Sequence, residues 1–156
     1  MSEPIIEQIA QWINDALDGV SDDDGTLTLR SIRPKILDWE PSHFRHGDVI
    51  IELGPINTKS TTVTSSRTEL AVFMLFGIIR ELPADTMADT VLARFAETIR
   101  RTMLAGNALG QAAEGLALNI DCPEFYPALF EGGIEIVIKA EVTYQTALKD
   151  GYAEPS

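Results

Sequence analysis

The feature that most constrains this 156-residue chain is the stretch that follows Gly132-Gly133. There Ile134, Ile136, Ile138, Ala140, Val142 and Tyr144 alternate with Glu135, Lys139, Glu141, Thr143 and Gln145, and only Val137 breaks the pattern. A period of two over this length predicts a long strand with one face buried and one face polar, which requires a sheet and a layer packed on it. The remaining chain must supply both.

Two segments carry helical periodicity. Ile5, Ile6, Ile9, Trp12, Ile13, Ala16, Leu17 and Val20 recur at spacings of three and four, with Ser2 as N-cap and Pro4 in the first turn. A second helix opens near Asp85 and carries Met87, Val91, Leu92, Phe95, Ile99 and Met103 on one stripe, with Arg100 and Arg101 in its last turns and Gly106 closing it. Between the helices, residues 26–32 and 48–54 read as strands, and the run 68–79 reads as a third because Val72, Phe73, Phe76, Ile78 and Ile79 favour the extended state. The polar tract 56–66 reads as a long hairpin loop, residues 116–121 as a short strand, and 122–130, with Pro123 and Pro127, as a turn. The expected fold is α+β, a two-layer arrangement of a mainly antiparallel sheet with two helices on one face, in the order α-β-β-β-α-β-β. One domain spans residues 1–150, and 151–156 read as a frayed tail.

Within the run 68–79, the face Leu70, Val72, Met74, Phe76, Ile78 has no polar member, which places it under the helices. The opposite face includes Glu69 and Gly77, and its Phe73, Leu75 and Ile79 are then expected at an oligomer interface, because a two-layer domain covers only one sheet face.

Charge and cysteine usage narrow the function. Twenty-four acidic residues against twelve basic ones give a net charge of -12, and the basic residues are scattered, with only Arg100 and Arg101 adjacent. Phosphate neutralisation needs a basic face, so sequence-specific nucleic-acid binding is not expected. The start of the chain has neither a signal-peptide pattern nor a membrane span, which suggests a cytoplasmic protein. Cys122 is the only cysteine, so no internal disulfide can form. His43 and His46 lie in a Pro- and Gly-bounded loop, and their spacing matches no helical ligand pair, so no metal site is assigned. No glycine cluster follows a phosphate-binding pattern and no Ser-His-Asp set is indicated; neither catalytic residues nor a cofactor are assigned. Trp39 and Phe44, in the aperiodic loop 36–47, are either tucked back on the sheet or offered to a partner, and the scarcity of exposed aromatic patches favours the first.

Taken together, the helix EPIIEQIAQWINDAL, the strand pair DVIIELG and TELAVFMLFGII around a polar loop, the helix ADTMADTVLARFAETIRRTML and the closing strand GGIEIVIKAEVTYQT, ending in Tyr144-Gln145-Thr146, resemble the tail terminator, or tail-completion, proteins of long-tailed bacteriophages and prophages. The resemblance implies a structural protein without cofactor or reaction. It implies a homo-oligomeric ring, usually a hexamer, that caps the tail tube, ends its polymerisation and offers a surface to the head-tail connector. Its partners would be itself, the tail-tube protein and the connector proteins, and it would pass from the host cytoplasm into the virion or tail-like particle. The polar loop, with Asn57, Lys59, Thr61, Thr62 and Ser65, would be a partner-contact loop. The competing readings are a small-ligand-binding protein or enzyme built on loops 36–47 and 106–115, and a monomeric acidic adaptor.

Overall fold

A computed structural model describes residues 3–61, 66–82, 87–105, 107, 112–147 and 150–154. Two helices, α1 (Ile5–Leu17) and α2 (Ala88–Leu104), pack on a sheet of β1 (Arg30–Ile32), β2 (Asp48–Thr61), β3 (Ser66–Ile79), β4 (Asn119–Phe130) and β5 (Gly133–Ala147). The spatial order is β1-β2-β3-β5-β4. Only β1 and β2 run parallel; the other pairs are antiparallel. The fold is therefore α+β in the order α-β-β-β-α-β-β.

Both helices bury most of the stripe that their periodicity marks, Ile5, Ile9, Ile13 and Leu17 from α1 and Val91, Phe95, Ile99 and Met103 from α2, whereas Met87, expected on the second stripe, precedes the helix and is 72% exposed. Helix α1 starts one residue after Pro4, whose carbonyl accepts from the amides of Glu7 and Gln8. Ser2, Asp85 and Gly106, the sequence-level helix-end signals, lie outside the described residues. The orphan amide of Ile5 is satisfied instead by the carbonyl of Gly151 at 3.1 Å, and Ala147 N–H donates to Ala153 at 2.8 Å. Gly151 is thus bonded to the start of α1 and Ala153 to the end of β5, where composition suggested a frayed tail; residues 155 and 156 lie outside the described residues.

Three strands are longer or shorter than their patterns suggest. β2 runs through Gly54-Pro55 on a register shift between Leu53 and Ile56, and continues through the polar tract to pair Asn57 with Leu70, Thr58 with Glu69 and Thr61 with Arg67. Thr and Ile suit the extended backbone whether or not they are buried, so the loop expected at 56–66 is mostly strand. β4 likewise runs through Pro123 and Pro127, read from sequence as a turn. It is an edge strand, where a missing N–H leaves no ladder bond unmade, and a register shift between Asp121 and Glu124 absorbs Pro123. Of residues 26–32, only the last three join the sheet. Asp22 folds the segment before them into a turn, accepting hydrogen bonds from Thr26 N and Leu27 N at 2.9 and 3.1 Å and from the Thr26 hydroxyl at 3.0 Å.

The largest correction concerns the faces of β3. Ala71, Phe73, Leu75 and Ile79 belong to the core cluster with both helices, and Phe73 and Leu75 are completely inaccessible. The oligomer interface expected at Phe73, Leu75 and Ile79 is therefore the inside of the monomer. Gly77 explains the choice: a Cβ there would lie within 2.8 Å of the Phe95 ring and 2.7 Å of Ile136 Cγ2, so the glycine is the seat of the α2 aromatic. Glu69 is tolerated on this face because Arg67 Nε lies 3.1 Å from it and the Thr58 hydroxyl donates to it at 3.1 Å. Leu70, Val72, Met74, Phe76 and Ile78 face the other way.

Two predictions follow from this placement. Phe73→Lys puts an unpaired ammonium in the core, at a cost of several kcal/mol that is comparable to the total stability, and should abolish cooperative folding. Val72→Lys sets the same group beside Glu141, its cross-strand partner, with a stem long enough to reach water, and should fold with a loss of no more than about 1–2 kcal/mol. Thermal melts of the two variants check the assignment; if Val72→Lys unfolds and Phe73→Lys does not, the faces are reversed.

The turn at Asp22 carries a pH signature. Burial would raise this carboxyl, but the Leu27 amide, the hydroxyl and amide of Thr26 and the charge of Arg94 outweigh it and hold the group below the ordinary aspartate range. A depressed folded value contributes stability above the unfolded value, and the contribution disappears as pH falls through the folded one. Asp22→Asn should therefore cost about 1 kcal/mol at pH 7, and the gap to wild type should close below about pH 4. A gap that widens on acidification would contradict this.

Candidate assembly surfaces

The sheet face opposite the helices is built in rows set by strand register. One row holds Ile50, Phe76, Val137 and Tyr126; the next holds Glu52, Met74, Lys139 and Glu124; the next holds Val72, Glu141 and Asp121. Ile50, Val72, Ile78 and Val137 are buried although none belongs to the helix-covered core cluster. This face therefore has a cover of its own.

Part of that cover is the loop between β1 and β2. Trp39 stands edge-on to Phe76, with ring centroids 5.0 Å apart, and to Phe44 at 5.5 Å, and its indole N–H donates to Glu52. Both loop aromatics are tucked back on the sheet. Arg80, just past β3, clamps the loop: Nε donates to the Phe44 carbonyl at 2.8 Å, one terminal nitrogen donates to the Ser42 carbonyl at 2.7 Å, and the guanidinium lies over the Phe130 ring at 5.4 Å. His46 Nδ1 accepts from the amides of Arg80 and Glu81 at 3.0 and 3.2 Å, so this histidine closes the same junction. His43 Nδ1 accepts from Glu40 N–H at 3.4 Å within the turn Pro41–His43. The two histidines hold backbone rather than facing a common point, and among the described residues no group of three His, Cys, Asp or Glu side chains is arranged to hold a metal ion.

Beyond the strap, Leu70, Val72 and Met74 form an apolar strip along β3. Carboxylates border it: Glu52 on β2, Glu141 on β5, where it pairs with Lys139 at 3.4 Å, and Asp121 and Glu124 on β4. Burial, followed by the charge of Glu52, raises the carboxyl of Glu135. The face thus combines an apolar centre with acidic margins.

The sequence-level partner loop is split. Asn57, Lys59 and Thr61 lie exposed on the outer half of β2, and Thr62 and Ser65 lie outside the described residues. Of the two loops weighed as a ligand site, 36–47 is the strap itself. In 106–115 only residues 107 and 112–115 are described, and Asn107 bonds Ile120 through both its amide nitrogen and its oxygen. A cleft of about 510 Å³ lies elsewhere, between the acidic turn and α2, where Arg94 pairs with Asp24 at 3.3 Å and Arg101 with Asp23 at 2.9 Å. Cys122 is buried, and burial pushes its thiol up to about 11, which keeps it protonated at neutral pH. No described helix is long and apolar enough to cross a membrane.

Sequence reasoning missed the Arg80 clamp and the exposed apolar residues of β4, Phe125, Tyr126 and Leu129. The second had a signal: the aromatic and leucine content of CPEFYPALF sits at strand spacing, but the prolines masked it.

No protein-family model matches the chain, and a search of curated proteins finds no significant match.

The clamp can be checked directly. Arg80→Met removes the charge-assisted bonds to the strap carbonyls and should cost about 2 kcal/mol. In a Trp12→Phe background the Trp39 emission should shift to the red and amide exchange across residues 41–47 should accelerate. Unchanged emission and exchange would mean that the strap is held by its aromatic contacts alone.

Proposed function

We propose that this chain is an assembly protein of the phage tail-terminator kind, which works as a closed ring of identical subunits at the end of a tail tube. The observation that carries the reading is the half-covered sheet. Helices occupy one face, the strap occupies one end of the other, and beyond it the half-buried Leu70 and Met74, on either side of the buried Val72 and between acidic margins, would be covered further by another component. A neighbour on that strip would be a tail-tube or connector protein, and the subunits would meet one another elsewhere. The exposed end of the β2–β3 hairpin, with Asn57, Lys59 and Thr61, would reach past the helix-covered part of the sheet to the same assembly. Acidic character throughout, at a net charge of -12 per chain, suits a ring that does not retain nucleic acid passing near it.

Native mass tests this reading first. The protein should run as a single closed species near six times 17.1 kDa, and added to polymerising tail-tube subunits from the same genome it should shorten the tubes. A monomer at assay concentration, or tubes of unchanged length, would count against it.

A further inference from the structure

Apart from Leu82, Met87 and Tyr152, the exposed large apolar side chains among the described residues fall into two groups. Ile36 and Leu37, at 67% and 83% exposure, form the tip of the loop after β1, and Leu53 and Ile56, about half exposed, lie on the neighbouring β2. On the far side of the sheet, Phe125, Tyr126 and Leu129 of β4 are exposed, Leu129 at 85%. Leu53 and Ile56 stand on β2, three strands from β4, so these two groups lie about 14 Å apart at the usual strand spacing of about 4.8 Å. Within one copy the β2 flank and β4 cannot meet.

The unpaired basic side chains among the described residues fall on the first of these sides, where the loop also carries Asp38 and Glu40. Seven of the described basic side chains form ion pairs: Arg30, Arg33, Arg67, Arg94, Arg100, Arg101 and Lys139. Arg80 is engaged with carbonyls. Among the described residues this leaves Lys35, Arg45 and Lys59 without an ion pair, and all three belong to β2 or to the loop that leads into it. On the other side, Asp121 and Glu124 of β4 and Glu131 in the turn after it make no ion pair or side-chain hydrogen bond among the described residues.

We infer that these two sides are complementary halves of one interface between copies of this chain: the Ile36–Leu37 tip and the β2 flank of one copy dock on the free side of β4 of the next. Apolar residues meet apolar residues, and Lys35 and Lys59 face the carboxylates of β4. The backbone edges need not pair. Pro127 in β4 and the Gly54-Pro55 shift in β2 interrupt both ladders, so side chains carry the contact. Because the two halves differ, the contact is head-to-tail, and repeated head-to-tail contacts either close into a ring or run on as a filament. The inference rests on the ring reading above and assigns its surfaces.

The test uses two variants of the full chain, Leu37→Asp and Leu129→Asp, each changed at a side chain more than four-fifths exposed, so that circular dichroism should show wild-type folding. Each variant alone should have the 17.1 kDa mass of a monomer. Mixed in equal amounts they should form a dimer and nothing larger, because each retains the half that the other has lost. If wild type forms a ring and either variant still does so alone, or if the mixture stays monomeric, these surfaces are wrong while the ring reading stands. A monomeric wild type overturns both. As a second arm, the paired reversal Lys35→Glu with Glu124→Lys should restore the mass that either single reversal reduces; no restoration removes the charge pairing from the proposal.

Discussion

Everything in this fold is oriented by the seat of Phe95 on Gly77. An aromatic ring from α2 reaches the sheet at a point where β3 has no side chain, and no other residue could stand there without colliding with that ring or with Ile136. Close packing transmits this single contact along the strand, since alternate residues of β3 share a face. Once Gly77 lies under α2, Ala71, Phe73, Leu75 and Ile79 lie under the helices too, and Val72, Met74 and Phe76 face outward. The core cluster, the row of carboxylates and the outer apolar strip are all consequences.

The outer face is then a second packing problem, solved by a strap rather than by a layer. An arginine at the end of β3 gathers the carbonyls of Ser42 and Phe44, His46 ties the same loop through two amides, and Trp39 is pressed edge-on to Phe76 while its indole N–H finds Glu52. A half-buried indole with its one donor satisfied is an effective lid. The strap reaches only part of the face. Where it stops, the half-buried Leu70 and Met74 of β3 stand on either side of the buried Val72, between acidic neighbours.

Much of the architecture is legible from pattern because helical and strand periods are local properties of the chain. The two amphipathic helices, the alternation of β5, and the α-β-β-β-α-β-β order all read directly. Strand length was harder to see. The polar tract 56–61 stays in the sheet through Thr and Ile, and Thr58 gains a cross-strand partner in Glu69 that sequence does not reveal. Prolines in β4 suggest a turn until it is known that the strand is at the edge, where an absent donor costs little. The apolar residues on that edge were hidden by the same two prolines.

The sequence by itself determined the class of fold, the helix stripes, the acidity and the strand that anchors the sheet, because each depends on residues near one another along the chain. Only the tertiary structure decided which face of β3 is inside. Sequence favoured the face with no polar residue, yet β3 is apolar on both faces, and period alone cannot choose between them. The choice rests on shape, a ring needing a gap, and on the strap that makes the uniformly apolar face the outer one. For the same reason Phe73, Leu75 and Ile79 belong to the core, and Leu70, Val72 and Met74 lie on the opposite face of the sheet.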